Sequence, residues 1–416
     1  MTLRHQEADV LRSVTYSTRY LASLATVLTL IACAPPNEMF VERSDRGANG
    51  RGEPRPDDRP AMREEPDIQR GRALALDHAC SACHSGVLDP AGPGYLAGIQ
   101  NATGEFTAEG FKTRPRNLTP DNETGLGRFS ERQIFNALRY GLRPGETPDV
   151  EITSSTPGKG NFPARPKYLA PPMPWPEWRH MSDQELWNIA AYLKRAVKPV
   201  KNKVADSEGP PDFWAAYYAK LIGPHPALPF PTSNEVATAA SDARVQRGRA
   251  LVINHGCGGC HGAADNPAGD GWLAGARTPA DTFQFGPFIL RARNLTPDVE
   301  TGLGKFSERQ IFNALRYGLR PSATPDVDIT SSTPGQGNFP AKPDYLGPGM
   351  PWVAWRHMSD QELRDIATYL KRGLKPVKNK VADSDHPPDF WASGYTVEAI
   401  GPYPASKFPT ANEKVP

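Results

Sequence analysis

The sequence predicts an all-α fold in which one helical module occurs twice in tandem. The strongest observation is an internal repeat at an offset of 177 residues, since the block at 129–144 recurs unchanged at 306–321. Each copy also contains three segments with helical signals, and the residues between them are rich in proline and glycine. A period of this length far exceeds a solenoid unit, so the repeat indicates duplication of a whole domain.

Three helices are expected in each copy. The first covers about residues 68–78. The second begins at Ser130, where Gln133 completes a capping box, and the third begins at Ser182 with Glu185 as its partner. Spacings of i, i+3, i+4 and i+7 give the third helix a core-facing stripe of Leu186, Ile189, Ala190 and Leu193.

Composition limits the function classes and the domain plan. The 416 residues include 48 basic and 46 acidic side chains, for a formal net charge of +2. This balance gives no electrostatic footprint for nucleic acid. We expect a signal peptide at 1–33, a disordered tether at 34–65, and two domains at 66–235 and 243–416 joined by a short linker.

Four of the five cysteines lie in two C-x-x-C-H segments, at 80–84 and 257–261. This is the attachment signature of c-type haem, because each thiol reaches one porphyrin vinyl group and the adjacent imidazole reaches the iron. A redox dithiol or half a zinc site is the alternative for one such segment, but two equivalent copies disfavour both. We therefore predict two covalently attached haem c groups. The predicted attachment residues are Cys80, Cys83, Cys257 and Cys260, and the predicted proximal ligands are His84 and His261.

The fifth cysteine predicts the compartment. Residues 21–32 form an apolar run that is too short to span a bilayer but suits the core of a signal peptide. The run ends in Leu-Ile-Ala before Cys33, which resembles a bacterial lipobox and implies lipidation of Cys33. We expect a periplasmic protein with a lipid anchor, and Ala34 slightly favours the outer membrane. The alternative is an ordinary secreted protein with an incidental cysteine.

Each copy offers two methionines as the second axial ligand. Electron-transfer c-type haems usually have Met or His in this position. Met173 and Met350 lie in loops with prolines close by, and such stiff loops suit a thioether held over a haem face. Met181 and Met358 lie beside a helix cap, where a hydrophobic staple is a sufficient role. We predict Met173 and Met350 as the iron ligands.

Two pairs of repeated histidines give a second set of alternatives. His180 and His357 would produce bis-histidine haems, although we prefer an ordinary role near a helix cap. His78 and His255 lie too close to their own attachment segments to reach the far haem face. We expect them at the end of the first helix or at a haem edge.

Each copy resembles a class I cytochrome c domain, and more narrowly the haem modules of cytochrome subunits of bacterial membrane-bound quinoprotein and flavoprotein dehydrogenases. The resemblance implies an all-α fold in which Gly71 meets Tyr192 and Gly248 meets Tyr369 at a helix crossing. It also implies ligation by the methionine of the Met-Pro-aromatic segment. Long Pro/Gly-rich loops and a tail after each third helix depart from the family pattern. Three roles are open for the tails: covering a haem edge, packing between the copies, or docking a partner. The matching segments are 80–84, 117–121, 124–127, 129–130, 137–141, 173–175, 181–186 and 191–193.

The expected function is relay of single electrons between redox proteins, such as a dehydrogenase, other cytochromes or a terminal oxidoreductase, without catalysis by this chain. A di-haem peroxidase is the alternative, but it needs one iron with an open sixth position. A haem-based sensor needs the same open iron. Equivalent methionine loops in both copies argue against that asymmetry.

Overall fold

The computed structural model describes residues 65–99, 104–108, 111–170, 173–208, 218, 222–278, 281–285, 288–384 and 394–416. The predicted signal peptide, Cys33 and nearly all of the tether lie outside these residues. So do the Pro-Pro-Asp-Phe-Trp segments of both tails. Within the described ranges, no helix combines the length and the apolar character needed to cross a membrane.

Helices provide most of the regular structure of the first copy. They are α1 (Ile68–Asp77), α2 (Cys80–His84), α3 (Glu131–Tyr140), α4 (Trp175–Trp178) and α5 (Asp183–Ala191), and a π-helical turn at Tyr192–Ala196 follows α5. One antiparallel hairpin pairs β1 (Phe106–Ala108) with β2 (Phe111–Thr113), and it places Phe106 opposite Thr113.

The second copy repeats this order of elements. Its helices are α6 (Ala243–Asn254), α7 (Cys257–His261), α8 (Glu308–Tyr317), α9 (Trp352–Trp355) and α10 (Asp360–Thr368), followed by a π-helical turn at Tyr369–Gly373 and by α11 (Val397–Ile400). Strands β3 (Phe283–Phe285) and β4 (Phe288–Leu290) form the matching antiparallel hairpin.

The predicted capping boxes are confirmed. The Ser130 hydroxyl accepts a hydrogen bond from the Gln133 backbone N–H at 3.1 Å, and the Gln133 side chain accepts one from the Ser130 N–H. Ser182 and Glu185 form the same box at the start of α5. Such reciprocal caps satisfy two N–H groups that a helix terminus otherwise leaves without partners.

The first and last helices of each copy cross where a glycine allows close approach. A Cβ on Gly71 would lie 2.0 Å from the carbonyl oxygen of Asn188 and 2.9 Å from Cβ of Tyr192. A Cβ on Gly248 would lie 2.0 Å from the carbonyl oxygen of Asp365. The crossings join the first and last helices to the hydrophobic core of each copy.

Besides the short helices α2, α7 and α11, two kinds of element were not predicted from the sequence. Strands of three residues contain too few alternating positions to produce a period-2 pattern. Helices α4 and α9 have four residues each, which is about one turn and too short for a 3.6-residue period. Both follow directly from the Met173 or Met350 loop, which they hold in place.

The segment that ends the first predicted domain packs against the second copy. The Glu235 carboxylate, 1% exposed, accepts hydrogen bonds from Arg249 Nε at 2.6 Å and from the Tyr369 hydroxyl at 2.7 Å. The backbone N–H of Val236 donates to the carbonyl of Gly373 at 2.9 Å.

The last residues of the chain make the matching contacts with the first copy. The Glu413 carboxylate, also 1% exposed, accepts hydrogen bonds from Arg72 Nε and the Tyr192 hydroxyl, each at 2.6 Å. The Asn412 amide donates to the carbonyl of Pro90 at 2.9 Å. The two segments that make these contacts have nearly the same sequence, FPTSNE at 230–235 and FPTANE at 408–413. The described tail segments therefore pack between the copies, one of the three roles left open by the sequence.

Candidate haem sites

Both C-x-x-C-H segments form short helices, α2 and α7, at the end of the first helix of each copy. Each begins after a residue in the left-handed region, Ala79 with φ 55° and Gly256 with φ 66°. No disulfide joins the two cysteines of either segment. Cys80 is buried and Cys260 is exposed, while Cys83 and Cys257 are half-buried.

The thiols have the environment of inert cysteines. Burial raises the pKa of Cys80 and of Cys257 to about 12. Redox-active C-x-x-C motifs lower a cysteine pKa instead, because the thiolate is the reactive form. These pKa shifts argue against the redox-dithiol alternative.

The two histidines predicted as proximal ligands are each held in one tautomer. Nδ1 of His84 lies 2.6 Å from the carbonyl oxygen of Arg116, and Nδ1 of His261 lies 2.6 Å from that of Arg293. A carbonyl oxygen only accepts, so Nδ1 carries the proton and Nε2 keeps its lone pair. Metal-bound histidines are usually oriented by such a bond from the other ring nitrogen.

The loops that supply these carbonyl groups are fixed by the chain that follows the last helix. Arg116 donates to the carbonyl groups of Val204 and Ala205 and pairs with Asp206. Arg293 donates to the carbonyl groups at the matching positions in the second copy, 381 and 382. The position of each histidine therefore depends on a segment more than 80 residues away in sequence.

The two predicted methionine ligands lie in comparable positions. Met173 is half-buried and packs against the core cluster that includes Cys80. Met350 is half-buried beside the corresponding cluster of the second copy, which Cys257 also contacts. Hydrogen bonds from Met173 N–H to Ala170, and from the next helix back to the Met173 carbonyl, hold this loop.

The alternative methionines and histidines have other contacts. Met181 and Met358 are 3% and 2% exposed and belong to the hydrophobic cores, as expected of staples. His180 Nε2 lies 3.1 Å from Asp265 Oδ2, across the boundary between the copies. The His357 ring packs against Tyr403 at 5.9 Å, and burial lowers the pKa of His357 to about 3.

His78 and His255 meet each other between the copies. Their rings stack with centroids 4.2 Å apart and planes 12° from parallel. Trp178 contacts His78 edge-on at 5.6 Å, and Trp355 contacts His255 at 6.1 Å. The four rings occupy equivalent positions in the two copies. These positions are distant in sequence and meet only in the folded protein.

Ligand atoms of Asp77, His78 and His255 lie within 4.8 Å of one another, close enough to consider a metal ion. Nitrogen lone pairs lie in the ring plane, so two nearly parallel rings direct them along separate lines rather than to one point. The arrangement therefore favours packing between the copies.

The residues at 80–84 and 257–261 fit a covalently attached haem. Each segment has an imidazole Nε2 available for iron and two thiols that are not joined by a disulfide. In each copy, a half-buried methionine also packs against the hydrophobic core that a cysteine of the segment contacts. Residues 245–373 match the family model described as Cytochrome c. These residues are therefore similar in sequence to a cytochrome c domain.

Proteins similar to this chain are named as cytochrome subunits. It is 28% identical over 334 residues to the gluconate 2-dehydrogenase cytochrome c subunit of Pantoea cypripedii, covering 76% of this chain and 62% of the relative. It is 27% identical over 363 residues to the alcohol dehydrogenase (quinone) cytochrome c subunit of Gluconacetobacter polyoxogenes, covering 82% and 64%. The fructose dehydrogenase cytochrome subunit of Gluconobacter japonicus is 25% identical over 382 residues, covering 81% and 65%.

The chain spans less than two thirds of the length of these three relatives. Their names describe electron-transfer components of dehydrogenases rather than catalytic subunits. The similarity therefore supports covalently bound haem and electron transfer as the chemistry of this chain.

Proposed function

We propose that this chain is a lipid-anchored di-haem cytochrome c that relays single electrons in the bacterial periplasm. It consists of two tandem class I domains, and Cys33 carries the lipid that anchors it to the membrane, with the outer membrane slightly favoured. Each haem is held by one C-x-x-C-H segment, with His84 and Met173 on one iron and His261 and Met350 on the other. Haem iron supplies reversible one-electron chemistry when bound.

The observation that carries the proposal is the paired histidine geometry. In both copies, Nδ1 donates to a loop carbonyl at 2.6 Å, so both imidazoles are oriented as metal ligands. A single such histidine occurs in many folds. Here two such histidines occur, and each directly follows a pair of cysteines with the attachment spacing. Two covalently attached haems require this arrangement.

The proposed partner is a periplasmic dehydrogenase that delivers electrons to this chain. The names of the relatives support that class of donor, although they assign no substrate here. The chain's own residues bind and orient the haems, and the buried cores limit access of water to them. Because equivalent methionine loops are present in both copies, we keep the peroxidase only as an alternative.

Protein secreted by a host that attaches c-type haem provides the test. Peptide mass spectrometry of the four attachment cysteines, with a reductive titration of the same sample, is expected to give two haems and two electrons per chain. Hydrogen peroxide should not be turned over. Membrane anchoring is tested separately by detergent partition of the wild type and Cys33→Ser. A single haem, or rapid turnover of peroxide, would contradict the relay.

A further inference from the structure

The two attachment segments face different side chains from the opposite copy. Helix α4 of the first copy contacts the first helix of the second copy, and α9 contacts the first helix of the first copy. The third residue of α4 is Glu177, but its equivalent in α9 is Ala354. A carboxyl group is thus present at this helix position in only one of the two copies.

Glu177 lies directly against the attachment segment of the second copy. A Cβ on Gly256 would lie 3.0 Å from Cγ of Glu177, and a Cβ on Gly259 would lie 3.8 Å from Glu177 Oε1. The matching residues before and within the first attachment segment are Ala79 and Ala82. The second segment therefore lacks the methyl groups of the first where the glutamate packs.

The charges that face Glu177 do not neutralise it. Among the described residues, no cation forms an ion pair with its carboxylate. Arg179 on the following turn pairs instead with Asp265 at 2.6 Å, and His180 also contacts that carboxylate. Burial and then the negative charge of Asp265 raise the pKa of Glu177 to about 7, while Arg179 acts in the opposite direction. Cys260 is the other titratable neighbour, and a thioether at that position is uncharged.

We propose that the Glu177 carboxyl group takes up a proton when the haem on Cys257 and Cys260 is reduced. One electron from a donor protein converts ferric to ferrous iron, and one proton from water converts the carboxylate to the carboxylic acid. With haem attached at Cys257 and Cys260, a ferric charge would stabilise the Glu177 carboxylate, and loss of that charge on reduction would favour the protonated form. The inference concerns the second haem alone, because Ala354, the equivalent of Glu177 in α9, has no titratable side chain. The inference rests on the proposed function.

A spectroelectrochemical titration of the holoprotein from pH 5.5 to 8.5 tests this coupling. In the wild type, the potential of the second haem should fall as pH rises through the neutral range. For the tenfold coupling expected here, the steepest slope should be about half of the 59 mV per pH unit that a fully proton-coupled one-electron couple shows. Met350→His identifies the second haem, because replacing Met by His lowers its potential.

Glu177→Gln should abolish this slope. At pH 8.5 it should also raise the equilibrium constant for reduction of the second haem about tenfold, and it should leave the first haem unchanged. Glu398→Gln removes an exposed acid on α11 and should leave both haems as in the wild type. An indicator dye should register proton uptake on reduction of the wild type but not of Glu177→Gln. A pH slope that persists in Glu177→Gln would overturn the inference. Failure of the proposed function itself would appear separately, as missing haem in the same sample.

Discussion

Replacing Glu413 with alanine tests whether the end of the chain stabilises the first copy. Its carboxylate is 1% exposed and accepts hydrogen bonds at 2.6 Å from Arg72 and from Tyr192. Removal leaves the Arg72 guanidinium, whose side chain is 10% exposed, without its carboxylate partner. Breaking a buried ion pair by deleting one partner costs about 3–5 kcal/mol.

The Tyr192 hydroxyl loses the same acceptor, and a buried donor without a partner costs about 1–3 kcal/mol. These two losses belong to one network and are not additive, so we keep about 3–5 kcal/mol for the whole substitution. A domain stability of about 5–15 kcal/mol makes this a large fraction of the total. Glu413→Gln keeps an acceptor for both partners and should cost less.

Hydrogen exchange detected by mass spectrometry reports the two copies separately. In the holoprotein, Glu413→Ala should speed exchange at least about a hundredfold in α1 and α5, since 1.4 kcal/mol is a factor of ten and these helices open with the first copy. Glu235→Ala is the matched control, because it removes the same contacts from the second copy. It should affect α6 and α10 instead.

Faster exchange confined to residues 400–416 in Glu413→Ala would refute this reasoning. The last segment would then be a passive cover, and the stability of the first copy would come from its own helices. Equal effects of both substitutions on both copies would also refute it, because the copies would then unfold as one unit.

Three further tests probe the ligands, the helix crossing and the interface. Met173→Leu should open one sixth position and create a carbon monoxide shift on one haem, whereas Met181→Leu, a core swap that costs less than about 1.5 kcal/mol, should not. Gly71→Ala should lower stability by about 3 kcal/mol in thermal unfolding, because the new Cβ would lie 2.0 Å from the Asn188 carbonyl oxygen. Burial lowers the pKa of His255 to about 4, so folded protein binds fewer protons than unfolded protein below the ordinary value near 6.5. Stability should therefore fall by up to about 1.4 kcal/mol per pH unit from that value down towards 4, and urea midpoints at pH 7.5 and 5.5 should differ less in His255→Gln.

The parts of the fold that the sequence predicted are those with local signals. Ser130 and Ser182 mark helix starts because a cap uses residues only three positions apart. The attachment segments are equally local. Gly71 and Tyr192 are far apart in sequence, and their pairing came from the family resemblance rather than from periodicity.

The contacts between the copies could not be predicted in the same way. The sequence contains FPTSNE and FPTANE, but a repeated hexapeptide does not state which copy it packs against. The stack of His78 on His255 likewise depends on the relative position of two helices. The role of Glu177 rests on a difference between the copies, which a search for repeats passes over.

The most direct test of the central claim is a carbon monoxide difference spectrum of the reduced, purified protein, with haem content measured on the same sample. We predict two haems per chain and no shift, because in the proposed ligation His84 and Met173 occupy the axial positions of one iron, and His261 and Met350 those of the other. A clear shift on one haem would contradict the electron relay and favour a peroxidase or a sensor with an open iron.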